Sequence, residues 1–400
     1  MDKKLRVPLA ALCAVPFLMV LGNSMLIPVL PQIRTVLHLT QLQTGLLITA
    51  FSVPAGLVIA FVGILSDRLG RRTVIVPSLL LYGLAGALAG LAAVALRQPY
   101  EALLGARILQ GVGAAGTAPV AMTLVGDLFQ SKERPTALGL LEAANGLGKV
   151  LSPVLGAGAA LLAWYAPFFV YAVLAVPVAL LVWFLCPPTG KQAAPPLRQY
   201  FTDLARVFRQ KPGSLAACYL AGGLILFTLF GLLFYFSDRL ETAYHYRGVL
   251  KGGLIALPVA AMTLTSLLTG AFLQKRDHLL KGAVSLGLGL LVVSLVLLPL
   301  LVAHALLTAA MVVLLGVGNG LALPALNTMV TSAAAGQTRG LVTSLYGAVR
   351  FLGVALGPPI VGGLMEGGPK VVCWPVAVAA ALSTVAVLLL LDDRQLRPPA

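Results

Sequence analysis

Twelve apolar runs, each long enough to cross a bilayer as a helix, follow one another along the chain with polar connections between them. They fall at approximately 8–30, 43–65, 74–96, 102–127, 136–160, 166–186, 214–236, 250–273, 281–302, 305–331, 340–364 and 371–391. About 20 apolar residues suffice for a spanning helix. Within the hydrocarbon every backbone amide must find a partner in protein, which leaves helices or closed barrels. Barrel strands alternate polar and apolar residues over about ten positions, and no segment here does. The chain is therefore predicted to be an all-α membrane protein of twelve transmembrane helices. Its composition, 59 % hydrophobic and 10 % charged, excludes a soluble enzyme, for which about 25 % charged residues is usual.

A net charge of +15 would suit a nucleic-acid binder, but the basic residues sit in short clusters between apolar runs. That pattern encodes membrane orientation, so no nucleic-acid partner is expected. One set of connections holds clusters such as Lys3-Lys4, Arg71-Arg72 and Lys275-Arg276, together with Lys132, Arg134, Lys191 and Arg339. The opposite set holds only Arg34, Arg97, Arg239, Arg247, Lys251 and Lys370. The positive-inside rule places both termini in the cytoplasm, in the inner membrane of a prokaryote. The basic start MDKKLRVPLA reads as the entry to the first span rather than a cleaved leader. Cys13, Cys186, Cys218 and Cys373 show neither metal-ligand spacing nor a disulfide framework, and no metal or cofactor is expected.

Residues 187–213 form the one long polar stretch. Leu197, Tyr200, Phe201, Leu204, Val207 and Phe208 recur there at helical spacing, beside Arg198, Arg206, Arg209 and Lys211. An amphipathic helix on the cytoplasmic membrane surface fits this pattern. It divides the chain into a six-span half at 1–186, a linker at 187–213 and a second six-span half at 214–400.

The halves echo each other. Gly111, Gly113, Pro119, Arg134, Gly148 and Pro153 reappear as Gly316, Gly318, Pro324, Arg339, Gly353 and Pro358, always 205 residues later. Duplicated halves imply a substrate site near the bilayer midplane, reached by rocking one half against the other.

Between spans 2 and 3 the chain reads Gly63-Ile64-Leu65-Ser66-Asp67-Arg68-Leu69-Gly70-Arg71-Arg72. Gly63 is expected to let the second span approach a neighbour closely, and Gly70 to permit a tight turn. A stop sequence of cations accounts for Arg71 and Arg72 but not for Asp67.

This stretch resembles motif A of the major facilitator superfamily, G-x-L-[AS]-D-[RK]-x-G-[RK]-[RK], at every defined position. The resemblance implies a cytoplasmic gate in which the Asp bonds to a helix of the other half. It also implies that an Arg pairs with an acid closing span 4, the place of Asp127. The corresponding loop of the second half, Gly270 to Arg276, lacks both the Asp and the Gly-Arg-Arg. Arg107-Ile108-Leu109-Gln110-Gly111 is similar to motif B, whose buried Arg the resemblance associates with proton coupling. Gly139, Gly148, Ser152-Pro153 and Gly156-Ala157 resemble motif C of the drug:proton antiporters, with Ser and Ala in place of two glycines.

Ionisable residues inside spans are costly and are functional candidates. Four stand well inside: Arg107, Glu142, Lys149 and Arg350. Glu142 is the one acid found in a span, and the seventh span, 214–236, is read as uncharged. Glu142 serves either as a structural partner of Lys132 or Arg134, or as a proton carrier modulated by Arg107. Three cations against one acid favour anionic or neutral amphipathic compounds. Asn23 is expected to line a substrate cavity, whereas Asn145, Asn319, Asn327 and Tyr346 either line it or bond between helices. Phe227, Phe230 and Phe234 form a stripe that serves either packing or substrate contact.

The resemblance implies a secondary transporter, and motif C implies proton-driven multidrug efflux of small amphipathic compounds by alternating access, from a monomer. The alternative is a carrier of an anionic metabolite, or a lipid flippase, of the same fold. An enzyme is not expected: the four histidines lie in or near loops, and neither a HExxH nor a Walker sequence occurs.

Overall fold

The computed structural model describes residues 3–129, 133–188, 197–273, 276–334 and 336–392. Fifteen α-helices and two short 3-10 turns make up those residues, with no strand among them. In chain order the helices are α1 (Lys3–Ser24), α2 (Leu30–Leu37), α3 (Gln41–Leu69), α4 (Arg71–Ala95) and α5 (Tyr100–Ala115). Next come α6 (Ala118–Leu128), α7 (Glu133–Ala159), α8 (Ala166–Leu185), α9 (Leu197–Gln210) and α10 (Pro212–Thr242). The last five are α11 (Gly248–Leu273), α12 (Leu280–Leu301), α13 (Ala305–Ser332), α14 (Gly336–Leu364) and α15 (Pro369–Leu390).

Eleven spans among the described residues are long and apolar enough to cross a membrane. The remaining expected span is α7, 27 residues long, whose composition is diluted by Glu133, Arg134, Glu142 and Lys149. Two spans depart from the expected continuous helices. The first ends at Ser24, and Pro31 then starts α2. The fourth is broken between α5 and α6, where Thr117 Oγ1 donates to Ala114 O at 2.6 Å and a proline begins the new helix. Of the linker, α9 is described, whereas residues 189–196 lie outside the described residues, as does Lys132.

Two compact units emerge: unit 1 comprises Met1–Ala194 and Tyr246–Ala256, and unit 2 comprises Pro195–His245 and Leu257–Ala400. Lipid provides no hydrophobic drive between helices, so association relies on small residues that let backbones come close. The repeated glycines do this in matching places. A Cβ at Gly111 would collide with Phe51 O of α3, and one at Gly316 with Pro258 O of α11. At Gly113 it would lie 2.6 Å from Tyr82 N of α4, and at Gly318 2.6 Å from Gly287 O of α12. At Gly148 it would lie 2.9 Å from Phe17 O of α1, and at Gly353 it would collide with Gly223 O of α10. Each unit is thus stitched along the same three seams.

Large apolar side chains remain exposed on the helices, including Phe184, Leu264 and Leu382. Exposure on this scale needs lipid to cover it.

Candidate functional site

In unit 1, α5 buries Arg107 completely, at 0 % exposure. Its Nε donates to Leu47 O at 3.1 Å, Nη1 to Gln110 Oε1 at 2.6 Å and Nη2 to Asn23 Oδ1 at 2.6 Å. The guanidinium also lies 4.5 Å from the centroid of the Phe51 ring. Every one of these partners is neutral, so a positive charge is held in the core by dipoles and a ring face. Asn23 is held in turn, its Nδ2 donating to Ser52 Oγ at 2.7 Å. Instead of lining a substrate cavity, Asn23 is 6 % exposed and orients Arg107. Nor are Arg107 and Glu142 brought together by these bonds, since the carboxylate of Glu142 accepts from Asn145 Nδ2 at 3.2 Å.

The loop joining α3 and α4 turns at Gly70, whose φ of 94° lies in the region that favours glycine. Arg71 is buried there and donates to Asp67 Oδ1 at 2.5 Å, Asp127 Oδ2 at 3.1 Å and Ser66 Oγ at 2.6 Å. The expected pairing with Asp127 is therefore present within unit 1. Arg68 is exposed. Gly63 makes no close approach: a Cβ there would meet no atom within 4 Å, because this residue faces outward from α3.

Arg72 has a role that the sequence pattern does not reveal. Its Nη1 donates to Trp183 O at 3.1 Å and Cys186 O at 3.0 Å, and it stacks 4.7 Å from the Trp183 ring, closing the C-terminus of α8. In unit 2, Lys281 Nζ donates to Leu388 O and Leu391 O, both at 2.9 Å, closing α15 in the same manner. A cation at a helix C-terminus satisfies orphan carbonyls and opposes the dipole. Arg72→Ala and Lys281→Ala are each expected to lower stability by about 1 kcal/mol. Thermal unfolding of the purified variants checks this, and unchanged midpoints would refute it.

Helix α7 has two faces. Leu140, Leu147, Leu151 and Leu155 form an exposed apolar stripe. Glu142, Asn145 and Lys149 cluster about 160° away round the helix. Contrary to the expected burial, Glu142 is exposed, with Asn145 and Lys149 half-buried beside it. The polar cluster thus stands on the side of α7 away from its exposed apolar stripe. Gly148 packs α7 against α1, and Gly156 packs it against Met25 just beyond that helix. Ser152 and Pro153 are buried between the faces. Gly139 meets nothing within 4 Å, so it contributes no close packing.

In unit 2, α14 and α13 bring three of the predicted cavity residues together. Arg350 Nη1 donates to Asn327 Oδ1 at 3.3 Å, and its guanidinium carbon lies 5.5 Å from the Tyr346 ring centroid. Asn327 is exposed and Arg350 half-buried, whereas Tyr346 is buried at 2 % exposure. The Tyr346 hydroxyl lies against Gly222, so this residue is a packed wall rather than an open contact. Phe234 is buried at 2 % and packs in the core of unit 2; Phe227 and Phe230 are half-buried. Asn319 is fully buried, with neither side-chain polar atom hydrogen-bonded.

Two charges in spans lie outside what hydropathy shows. Helix α10, the seventh span, continues to Thr242 and buries Asp238 at 7 % exposure, so that span is not uncharged and Glu142 is not the sole span acid. Lys251 stands inside α11 rather than in a loop, 2 % exposed, with Nζ donating to Pro28 O at 2.7 Å. Helix α10 continues past its apolar run to reach Asp238, whereas Lys251 is the second residue of its run and is enclosed because α11 already begins at Gly248.

The family described as the Major Facilitator Superfamily matches this chain over residues 12–358 and 280–400. A bacillibactin exporter of Bacillus subtilis (strain 168) is 38 % identical over 389 residues, covering 96 % of each chain. Multidrug resistance protein 1 of the same organism is 28 % identical over 378 residues, covering 91 % of each. Among solved structures, a bacterial homolog to the human lysosomal transporter Spinster, inward-facing and occupied, superposes with a TM-score of 0.77 at 17 % identity. All of both chains is covered in that superposition, which establishes the fold alone.

Proposed function

Because the chain belongs to the major facilitator superfamily and is a multi-pass membrane transporter rather than an enzyme, we propose that it exports small amphipathic organic compounds by proton antiport with alternating access. The observation that carries this reading is the full-length likeness to an exporter, 38 % identical across 96 % of both chains. Bacillibactin is accordingly the first compound to test. Both termini lie in the cytoplasm of a prokaryotic cell, and a monomer suffices because the two units share one polypeptide.

Glu142 is the proton carrier in this reading. Its carboxylate is exposed on the face of α7 away from lipid, with Asn145 as its bonded neighbour, which supports access to water-borne protons. Arg107 is the fixed positive charge of unit 1, tied to α1, α3 and α5 at once through Asn23, Leu47 and Gln110. A relative shift of these helices changes its field, which links the charge to conformation. The Arg71–Asp67–Asp127 cluster braces the cytoplasmic loop that acts as the gate.

The test is substrate-induced proton flux in inside-out vesicles energised acid inside, comparing native protein with Glu142→Gln. Added bacillibactin or a matched amphiphile collapses the gradient with native protein, and the variant responds at least about tenfold more weakly. An equal response from the two would remove Glu142 from coupling. Uptake of the compound with no proton movement would favour a carrier without proton coupling.

A further inference from the structure

We propose that Arg350, set between Asn327 and Tyr346 in unit 2, is the docking point for an acidic group, a carboxylate or an equivalent oxyanion, on the transported molecule. This rests on the transporter reading given above and assigns its substrate class.

The cations of the spans are not equivalent. Arg107 is sealed from solvent and each of its three nitrogens donates to a neutral acceptor, so it has no face left for a ligand. Lys251 is equally enclosed, 2 % exposed and bonded to Pro28 O. Arg350 differs. Its hydrogen bond to Asn327 is long at 3.3 Å, and its Nε is buried with no acceptor. No carboxylate of the described residues pairs with it. A guanidinium within a span is expensive without a counter-charge, and its planar fork matches a carboxylate with two parallel donors.

The surroundings hold that fork in place. Leu352, Leu356 and Ile360 form the exposed apolar edge of α14, and Arg350 stands about 120° away from it round the helix. The guanidinium therefore does not face lipid. The Tyr346 ring, 5.5 Å from the guanidinium carbon, is locked by its edge contact with Tyr219 at 5.5 Å and by Gly222 against its hydroxyl. Gly222→Ala would push the ring aside, so a glycine at this point of α10 preserves the wall. Arg350 also occupies the register of Asn145 in the 205-residue repeat. The polar position that accompanies Glu142 in unit 1 thus becomes a cation in unit 2, separating proton handling from anion docking.

The test uses two fluorescent probes, dansylglycine and its uncharged methyl ester, with purified full-length protein in nanodiscs. Native protein is expected to bind the acid at least tenfold more tightly than the ester. Arg350→Gln raises the Kd of the acid at least tenfold and leaves that of the ester within twofold. Asn327→Asp places a carboxylate beside the guanidinium, keeps the fold and abolishes the preference for the acid, so the result does not hang on one variant. The inference is overturned if native protein shows no preference for the acid, if Asn327→Asp retains it, or if Arg350→Gln weakens both probes equally. Vesicle uptake of the same probes separates the two readings. Binding that depends on Arg350 without uptake overturns export and leaves the docking point standing, whereas uptake of both probes indifferent to Arg350 does the reverse.

Discussion

Arg107→Ala is expected to abolish transport and to destabilise unit 1 by about 3–5 kcal/mol. The substitution strands Gln110 Oε1 and Asn23 Oδ1 in a site with no water access, and leaves Leu47 O with only its intrahelical donor. Each buried acceptor left without a donor costs about 1–3 kcal/mol, and the Phe51 ring loses its cation as well. Arg107→Lys retains the charge, but one ammonium cannot reach three acceptors on three helices, so it folds with partial activity. Thermal unfolding in detergent, read beside vesicle transport, checks both variants. An alanine variant that melted with the native protein would show that the network holds nothing together.

Gly111→Leu and Gly316→Leu are expected to have comparably large effects, about 3 kcal/mol or outright failure to fold. In each the new side chain collides with a backbone carbonyl of the neighbouring helix, Phe51 O or Pro258 O, which cannot step aside as a side-chain tip can. Gly63→Ala and Gly139→Ala are the internal controls. Neither meets an atom within 4 Å, so each shifts stability by less than about 0.5 kcal/mol. Monodispersity on gel filtration and melting midpoints measure the contrast. If the controls suffered as much as the seam glycines, close backbone approach would not be the cause.

The spans are legible in the sequence because lipid imposes one rule on every spanning segment, and hydropathy reads that rule directly. The repeat is legible as well, since Gly111 and Gly316 do the same work against corresponding neighbours. The Arg71–Asp127 pair follows from the resemblance. Burial is not legible. Glu142 and Arg350 both sit in apolar sequence, yet one is exposed and the other half-buried, because exposure depends on which face of the helix its neighbours cover. Asn23 reads as a cavity residue until Arg107 arrives beside it from 84 residues away. Asp238 and Lys251 are hidden for a different reason: they stand at the edges of their apolar runs, where the helix continues and a charge can still be enclosed by protein.

The two cation caps bear on how the nascent chain matures. Arg72 is synthesised 111 residues before Trp183, and Lys281 is synthesised 107 residues before Leu388. Neither cap can form until the helix it closes, α8 or α15, has left the ribosome, so each cation waits unmatched while the intervening helices are made. Domains fold as units, N-terminal first, during translation. Closing of the α8 end by Arg72 therefore marks completion of the first six spans while the rest of the chain, including the Tyr246–Ala256 segment of unit 1, is still emerging, and closing of the α15 end by Lys281 comes last. A chain truncated before Trp183 would hold five complete spans and most of the sixth, with Arg72 left without the carbonyls that it caps.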